Sequence, residues 1–263
     1  MSIITLTTDF GSGSPYVAAM KGVILSLNPA ATLVDITHEV PAQDVRYAAI
    51  VLDDVSDRFP GGTVHVAVVD PGVGTERAIL YARIGRQNYL APDNGLLSRI
   101  VRRTRPAKIL RLTESEYWLQ PVSATFHGRD IFAPVAARLS LGLDPDRLGV
   151  PAERLVMLDW PEVRIGPDRI EGAVLLVDSF GNLVTDIRAD LLPSASEAAE
   201  ARVSCQGRVV TGLVRTYGES ASGSLIALIG SSGHLELAVV GGSAAATLRA
   251  SPGDRVVVTW SGS

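Results

Sequence analysis

The pattern of predicted secondary structure changes once along the chain, near residue 160. Before that point, β-branched runs alternate with helix-like stretches; after it, short strand-like runs follow one another with glycine-rich turns between them. The first pattern is typical of an α/β domain with a mostly parallel sheet, and the second of a small antiparallel barrel or sandwich. We therefore predict an α/β domain at residues 1–160 and a smaller, all-β, barrel-like domain at residues 168–263.

Hydrophobic periodicity and turn residues place the individual elements. In the first domain we predict strands at residues 3–7, 32–36, 63–69, 78–84 and 107–112, and helices at 16–27, 44–59 and 130–141. In the second we predict one helix, at 243–248, and strands at 169–178, 183–187, 202–210, 225–229, 234–240 and 255–260.

Composition narrows the classes of function. A hydrophobic fraction of 46% with 20% charged residues supports an ordinary buried core. The net charge of −4 gives no basic footprint for nucleic acid, and the single cysteine, Cys205, excludes an intrachain disulfide. No apolar run approaches the roughly 18 residues that span a bilayer, and the N-terminus lacks a signal-peptide pattern. We expect a cytoplasmic protein without a membrane partner.

Two predicted strands end in an aspartate followed by glycines, and the ends of parallel strands are where such sheets bind ligands. The first is Asp9, before Gly11 and Gly13; Tyr16 stands where a dinucleotide-binding loop would have its third glycine. A carboxylate here suits hydroxyl donors such as a ribose diol rather than a phosphate. A helix cap or turn aspartate is the alternative interpretation.

The second aspartate is Asp70, followed by Pro71 and Gly72 in a turn that returns toward Arg77. A carboxylate held by a guanidinium stays ionised at neutral pH, and a structural ion pair is the simpler alternative. His127 lies beside Gly128, just before a predicted helix. A histidine at this position can titrate or hydrogen-bond a water, or it can be purely structural.

Three other sequence patterns bear on the chemistry. Asp35, His38, Glu39 and Asp44 are candidate metal ligands but lack a zinc-binding spacing. A serine nucleophile is disfavoured because no G-x-S-x-G elbow occurs. The turn at residues 178–182 indicates a plain hairpin, although it could also present an amide and an aromatic face to a base.

Seven stretches, in order across nearly the whole chain, together resemble the adenosine-forming S-adenosylmethionine hydrolases, also called S-adenosylmethionine hydroxide adenosyltransferases, which are related to fluorinase and chlorinase. They are Thr7-Thr8-Asp9-Phe10-Gly11, Asp35-Ile36-Thr37-His38, Val69-Asp70-Pro71-Gly72-Val73-Gly74, Ala91-Pro92-Asp93-Asn94-Gly95, Phe126-His127-Gly128-Arg129-Asp130, Asp178-Ser179-Phe180-Gly181-Asn182 and Ser231-Ser232-Gly233-His234-Leu235-Glu236.

The resemblance implies hydrolysis of S-adenosylmethionine to adenosine and methionine by a water that attacks C5′ of the ribose. It implies no cofactor and no metal, and a homotrimer with the substrate between the N-terminal domain of one subunit and the C-terminal domain of its neighbour. The implied catalytic set is Asp70, Arg77 and His127. The implied substrate-binding residues are Asp9, Phe10, Gly128, Asp178, Phe180, Asn182, Ser231, Ser232 and Glu236.

Two alternatives stay open at this level. The halogenase relatives are expected to carry tyrosine where this chain has Asp70, whose negative charge would repel a halide. A non-catalytic protein that binds adenosine or S-adenosylmethionine would keep Asp9, Phe180 and Asn182 but would not need Asp70, Arg77 and His127 together.

Overall fold

The computed structural model describes residues 2–192 and 200–260. The chain forms two compact units, Met1–Leu158 and Asp159–Ser263. Each unit is built on its own sheet, and sequential strands are not always neighbours in either sheet. Within the described residues, no helix has the length and apolar character needed to cross a membrane.

The first unit contains a seven-stranded sheet with the order β2-β1-β3-β5-β4-β6-β7. Its strands are β1 (Ile3–Thr8), β2 (Thr32–Thr37), β3 (Val64–Val68), β4 (Ile79–Ile84), β5 (Gln87–Pro92), β6 (Pro106–Leu112) and β7 (Gly149–Pro151). The pairings β2-β1, β1-β3 and β3-β5 are parallel. The pairings β5-β4, β4-β6 and β6-β7 are antiparallel.

The sheet is therefore mixed, and the expectation of a mostly parallel sheet is wrong for its second half. The cause is the connection between β4 and β5, which consists only of Gly85 and Arg86. A two-residue link can join only antiparallel neighbours, and the positive φ of Gly85, 57°, allows the tight reversal. Neither β5 nor β7 was predicted from the sequence.

Helices cover both faces of this sheet. They are α1 (Pro15–Leu27), α2 (Val45–Ser56), α3 (Ser98–Arg103) and α4 (Ala133–Ser140). Strand β3 shows the two-sided burial directly, because Val66 and Val68 belong to the cluster around α1 and α4, whereas Ala67 belongs to the cluster around α2 and α3. A strand buried on both faces is typical of the parallel part of an α/β sheet.

The named strands of the second unit pair antiparallel, with the order β12-β11-β15-β9-β10-β14-β13 and with β8 paired to β9. Its elements are the helix α5 (Ala244–Leu248) and the strands β8 (Arg164–Ile165), β9 (Arg169–Val177), β10 (Leu183–Arg188), β11 (Arg202–Cys205), β12 (Arg208–Thr211), β13 (Leu225–Ile229), β14 (His234–Val239) and β15 (Arg255–Thr259). The barrel-like character predicted from the regular strand spacing agrees with this arrangement.

Strand β9 curves this sheet toward a barrel. Its first part pairs with β15 and its last part with β10. At the change of partner the amide of Ala173 donates to Asp186 Oδ1 at 2.7 Å instead of continuing the ladder. A Cβ on the neighbouring Gly172 would lie 2.1 Å from the same oxygen, so only glycine fits there.

Candidate active site

The parallel strands of the first unit bring the two aspartates to one edge of the sheet. Strands β1 and β3 are direct neighbours, with Thr8 opposite Val68 at their carboxyl ends. Asp9 follows β1 at once, and Asp70 follows β3 by one residue. Both side chains line a single cleft of about 390 Å³, together with His127. Both aspartates follow strand ends as predicted, and their binding of a ligand stays a prediction.

Asp70, Arg77 and His127 form one hydrogen-bonded set. Arg77 Nε donates to Asp70 Oδ1 at 2.9 Å, and Arg77 Nη2 donates to Asp70 Oδ2. The same Nη2 lies 2.9 Å from His127 Nδ1. The side chains of Arg77 and Asp70 are only 9% and 4% exposed, so solvent screens this two-point ion pair weakly. Arg77 thus fixes the carboxylate and the imidazole relative to each other.

Two loops supply these three residues, and their backbones touch. In the first loop the Val73 amide donates to the Asp70 carbonyl at 3.1 Å, which closes a turn over Pro71. Gly74 follows with φ of 78°, and a Cβ there would lie 2.2 Å from the carbonyl oxygen of Ala124, in the second loop. The absence of a side chain at Gly74 therefore allows the Asp70 loop to reach the His127 loop.

The second loop ends in an unusual helix start. Residues Gly128–Phe132 form a π turn that continues into α4, and His127 is its N-cap. Asp130 is buried, accepts from the Ser123 amide at 2.8 Å and pairs with Arg129 Nε at 2.6 Å. Burial pushes the pKa of Asp130 upward, but these hydrogen bonds outweigh it and hold the pKa below its usual value. Wide turns of this kind often occur at functional sites.

The protonation of His127 follows from its contact with Arg77. Burial lowers the pKa of His127, and the Arg77 charge lowers it further. A guanidinium can only donate hydrogen bonds, so His127 Nδ1 must accept and the ring proton sits on Nε2. His127 is therefore a neutral donor through Nε2. Among the roles that the sequence allows for His127, hydrogen bonding to a water fits this geometry better than titration at neutral pH.

Asp9 is held by a residue that the sequence did not single out. The backbone amide of Gln43 donates to Asp9 Oδ2 at 2.8 Å. Gln43 has φ of 63°, in the left-handed region that few residues other than glycine adopt, and it lines the same cleft. Backbone strain of this kind is common where a ligand or catalytic group must be held. The positive φ of Gln43 has no signal in a single sequence.

Aromatic rings form one wall of the cleft. Phe10, Tyr16 and Phe126 pack edge to face, with centroid separations of 5.8, 5.9 and 5.0 Å. Phe10 and Gly128, both predicted substrate-binding residues, line the cleft, as do Tyr16 and Phe126. In the sequence Tyr16 only interrupts a glycine motif, which does not predict its place in the wall.

The remaining predicted residues lie in the second unit. Phe180 and Asn182 line a cavity of about 550 Å³ together with Tyr217, Val239 and the residues 241–243. The turn that presents them is the β9-β10 hairpin, as the sequence indicated. Asp178 holds that turn, because its Oδ1 accepts from the amides of Phe180 at 2.9 Å and Asn182 at 2.8 Å. Phe180 is 77% exposed, so its ring is available to a ligand or a partner chain.

Glu236, Ser231 and Ser232 have different places. Glu236 is buried on β14 and hydrogen-bonds Tyr217; burial raises the pKa of Tyr217, and the charges of Glu236 and Asp178 add to the rise. Ser231 and Ser232 lie in the turn between β13 and β14 and do not line the 550 Å³ cavity. Tyr217, which links Asn182 and Glu236, was not predicted.

The candidate metal ligands have other partners. Asp35 accepts from Lys21 Nζ at 2.6 Å and lies 3.1 Å from His38 Nε2, whereas Asp44 caps α2 by accepting from the Tyr47 amide at 2.9 Å. Burial raises the pKa of Asp35, but the hydrogen bonds from Lys21 and His38 bring it below its usual value. Across residues 2–192 and 200–260 no cluster of three or more metal-binding side chains occurs.

Comparison with known proteins places the chain in a family. The family model described as the SAM hydroxide adenosyltransferase N-terminal domain matches residues 4–149, and that of the C-terminal domain matches residues 172–257. The chain belongs to the SAM hydroxide adenosyltransferase family, which confirms the resemblance found in its sequence.

Individual relatives agree with this assignment. A protein of Salinispora tropica named (R)-S-adenosyl-L-methionine hydrolase is 42% identical, with 97% of each chain covered. The crystal structure of an uncharacterized conserved protein from Thermotoga maritima superposes with a TM-score of 0.92 at 36% identity, covering 98% of this chain and 100% of that one. A fluorinase of Nocardia brasiliensis is more distant, at 26% identity over 90% of this chain and 89% of its own.

Proposed function

We infer that this protein is an enzyme that hydrolyses S-adenosylmethionine to adenosine and methionine. The observation that carries the inference is that Asp70 and His127 line one cleft and are joined by Arg77, in a member of the SAM hydroxide adenosyltransferase family. The (R)-S-adenosyl-L-methionine hydrolase names of its relatives support water, rather than a halide, as the nucleophile.

The chemistry requires little beyond a well-placed water. A C5′–O bond forms as the C5′–S bond breaks, and the bonding pair stays on sulfur, which leaves as the neutral thioether of methionine. No proton has to be given to the leaving group. The water loses one proton in the course of the reaction, so the protein must hold the water in line with C5′–S and accept that proton.

We assign the three residues complementary parts in this step. The Asp70 carboxylate accepts a hydrogen bond from the water and is the proton acceptor. Neutral His127 donates from Nε2 to the water oxygen, which leaves the other lone pair free to attack. Arg77 holds both groups in register and keeps Asp70 ionised. Alignment of reacting groups of this kind can contribute several kcal/mol, since effective molarities correspond to ~7–11 kcal/mol.

Substrate contacts are proposed for both units. Asp9 would accept hydrogen bonds from the ribose hydroxyls, with Phe10 and Gly128 beside it. In the second unit, Phe180 and Asn182 would contact adenine, and Asp178 would face the methionine end. The adenosyl or methionine pocket would also be lined by Ser231, Ser232 and Glu236. We propose a homotrimer in which the first unit of one subunit and the second unit of its neighbour share one substrate; the 77% exposure of Phe180 supports this arrangement.

The decisive experiment incubates the purified protein with S-adenosylmethionine and follows adenosine and methionine by chromatography. A parallel reaction contains chloride, and 5′-chloro-5′-deoxyadenosine is sought there. Adenosine without the chlorinated product is the expected result. The chlorinated product would favour a halogenase, and binding without either product would indicate a non-catalytic nucleoside-binding protein.

Variants of the three residues tie the activity to this cleft. Asp70→Ala and His127→Ala should each bind S-adenosylmethionine with nearly the parent affinity, measured by calorimetry, and should lose most adenosine release. Adenosine release at the parent rate by both variants would contradict the assignment.

A further inference from the structure

A row of three polar side chains, buried at Thr8 and His38 and exposed at Asp35, begins at the residue before Asp9. Thr8, the last residue of β1, has its Oγ1 2.9 Å from His38 Nδ1, and His38 Nε2 lies 3.1 Å from Asp35 Oδ1. Thr8 is fully buried and His38 is 7% exposed. None of the three residues lines the cleft, so the roles proposed above do not account for this row.

The chemistry of these groups indicates which of them donates and which accepts in each contact. A carboxylate only accepts, so the contact with Asp35 is favourable when His38 carries a proton on Nε2. In the tautomer with that proton on Nε2, His38 accepts at Nδ1 from the hydroxyl of Thr8. The Thr8 oxygen in turn accepts from the Phe10 amide at 3.3 Å. The position of the backbone at Phe10, next to Asp9, is thereby linked to His38.

The segment that begins at His38 also hydrogen-bonds residues 9–12, named here the Asp9 loop. The Gly11 amide donates to the His38 carbonyl at 2.8 Å, and the Ser12 amide donates to Glu39 Oε1 at 2.7 Å. The Gln43 amide completes the set by donating to Asp9 Oδ2. Residues 38–43, named here the Asp9 strap, therefore fix both the backbone and the carboxylate of the Asp9 loop.

We propose that Thr8 and His38 are positioning residues that anchor the Asp9 strap to the end of β1 and so set the Asp9 carboxylate for the ribose hydroxyls. The proposal rests on the proposed function, because it takes Asp9 as the group that binds the ribose. Positioning should act on binding of S-adenosylmethionine more than on the chemical step at Asp70, Arg77 and His127.

A purely structural pair is the competing explanation, and the same strand offers a matched control. Thr5, also on β1 and fully buried, has its Oγ1 2.8 Å from Nδ1 of the buried His65. The Thr5–His65 pair resembles the Thr8–His38 pair in chemistry and burial. It lines no part of the cleft and makes no contact with the Asp9 strap in the hydrogen bonds described above. Removal of either hydroxyl should therefore lower stability similarly.

The test compares Thr8→Val with Thr5→Val, and both with the parent. We expect Thr8→Val to raise KM for S-adenosylmethionine roughly tenfold, as for the loss of one well-placed hydrogen bond, with kcat within about threefold. Thr5→Val should leave KM unchanged. Both variants should lower the unfolding midpoint, and by similar amounts. Thr8→Ser, which restores the hydroxyl, should bring KM back toward the parent value.

Two variants of His38 test whether its contact with Thr8 matters more for binding than its contact with Asp35. The asparagine of His38→Asn places an acceptor near the place of the imidazole Nδ1 and can keep the contact with Thr8. The glutamine of His38→Gln reaches toward Asp35 and loses the contact with Thr8. His38→Asn should therefore raise KM less than His38→Gln. An equal KM for Thr8→Val and Thr5→Val, or a greater KM for His38→Asn than for His38→Gln, would overturn the proposal. A parent protein that releases no adenosine would instead overturn the proposed function.

Discussion

Arg77 Nη2 lies 2.9 Å from Nδ1 of His127, so a group that can only donate faces a ring nitrogen that must accept. The same guanidinium binds both oxygens of Asp70. One side chain therefore determines the orientation of two others, and it does so through the planar, forked geometry that distinguishes arginine from lysine.

This relationship predicts the effect of Arg77→Lys. A single ammonium cannot bind both Asp70 oxygens and His127 in the same geometry, although the charge is kept. We expect kcat to fall by about 100-fold or more, since small misplacements of catalytic groups have effects of that size, with little change in KM. Steady-state adenosine release measures both constants. Arg129→Lys, which preserves the charge next to His127 outside the catalytic set, is the comparison; equal kcat values for the two variants would argue against the role of Arg77.

The state of His127 predicts the acid limb of the pH profile. Its pKa is lowered by burial and by Arg77, and protonation at Nδ1 would set an N–H against the guanidinium. Activity should therefore persist as the pH falls through 6.5, the ordinary value for histidine, and should decline only at lower pH. The measurement is kcat/KM for adenosine formation between pH 5 and 8. An acid-limb midpoint above pH 6.5 that disappears in His127→Gln would contradict the neutral assignment.

The contact between the two loops predicts a selective effect of Gly74→Ala. A methyl group there would meet the Ala124 carbonyl at 2.2 Å and separate the Asp70 loop from the His127 loop. Gly62→Ala is the matched control, because Gly62 also has a positive φ, 90°, but open space around it. Both variants should lose stability on the order of 1–3 kcal/mol from backbone strain. Only Gly74→Ala should also slow adenosine release, by roughly tenfold or more. An equal loss of activity in both variants would show that the contact between the loops is not the cause of that loss.

His65 predicts how stability depends on pH. It is fully buried, stacks on Tyr89 at 5.1 Å, and burial lowers its pKa to about 4. Since its pKa is higher in the unfolded chain, near 6.5, the unfolded state binds more protons between these values, and stability falls as the pH is lowered from 6.5 toward 4. Between pH 6.5 and pH 4 this effect lowers the free energy of unfolding by up to ~3 kcal/mol.

Denaturant unfolding at pH 7.5 and pH 4.5 measures this dependence for the parent and for His65→Gln. The carboxylates contribute equally to both proteins, so the difference between the two pH slopes isolates His65. The parent should lose more free energy of unfolding than the variant. Identical losses would show that His65 does not contribute to acid destabilisation.

Local sequence signals were enough to locate the strand ends that carry Asp9 and Asp70, because β-branched runs followed by aspartate and glycine are informative over a few residues. The same reasoning gave the β9-β10 hairpin that presents Phe180. It missed β5, and with it the two-residue connection that makes β4 and β5 antiparallel neighbours. It also missed Gln43 and Tyr217, whose roles depend on a backbone angle and on packing between segments distant in the chain.

The wide turn at Gly128–Phe132 has a consequence for how this enzyme can change over evolutionary time. A π turn holds one residue more than the α-helical turn that would replace it, and each residue in an α-helix advances by about 100° around the axis. Deleting a single amino acid from this segment would let the helix close regularly and would swing residue 127 away from Arg77. The direction of the imidazole is thus encoded in the length of a segment, which substitutions alone cannot alter.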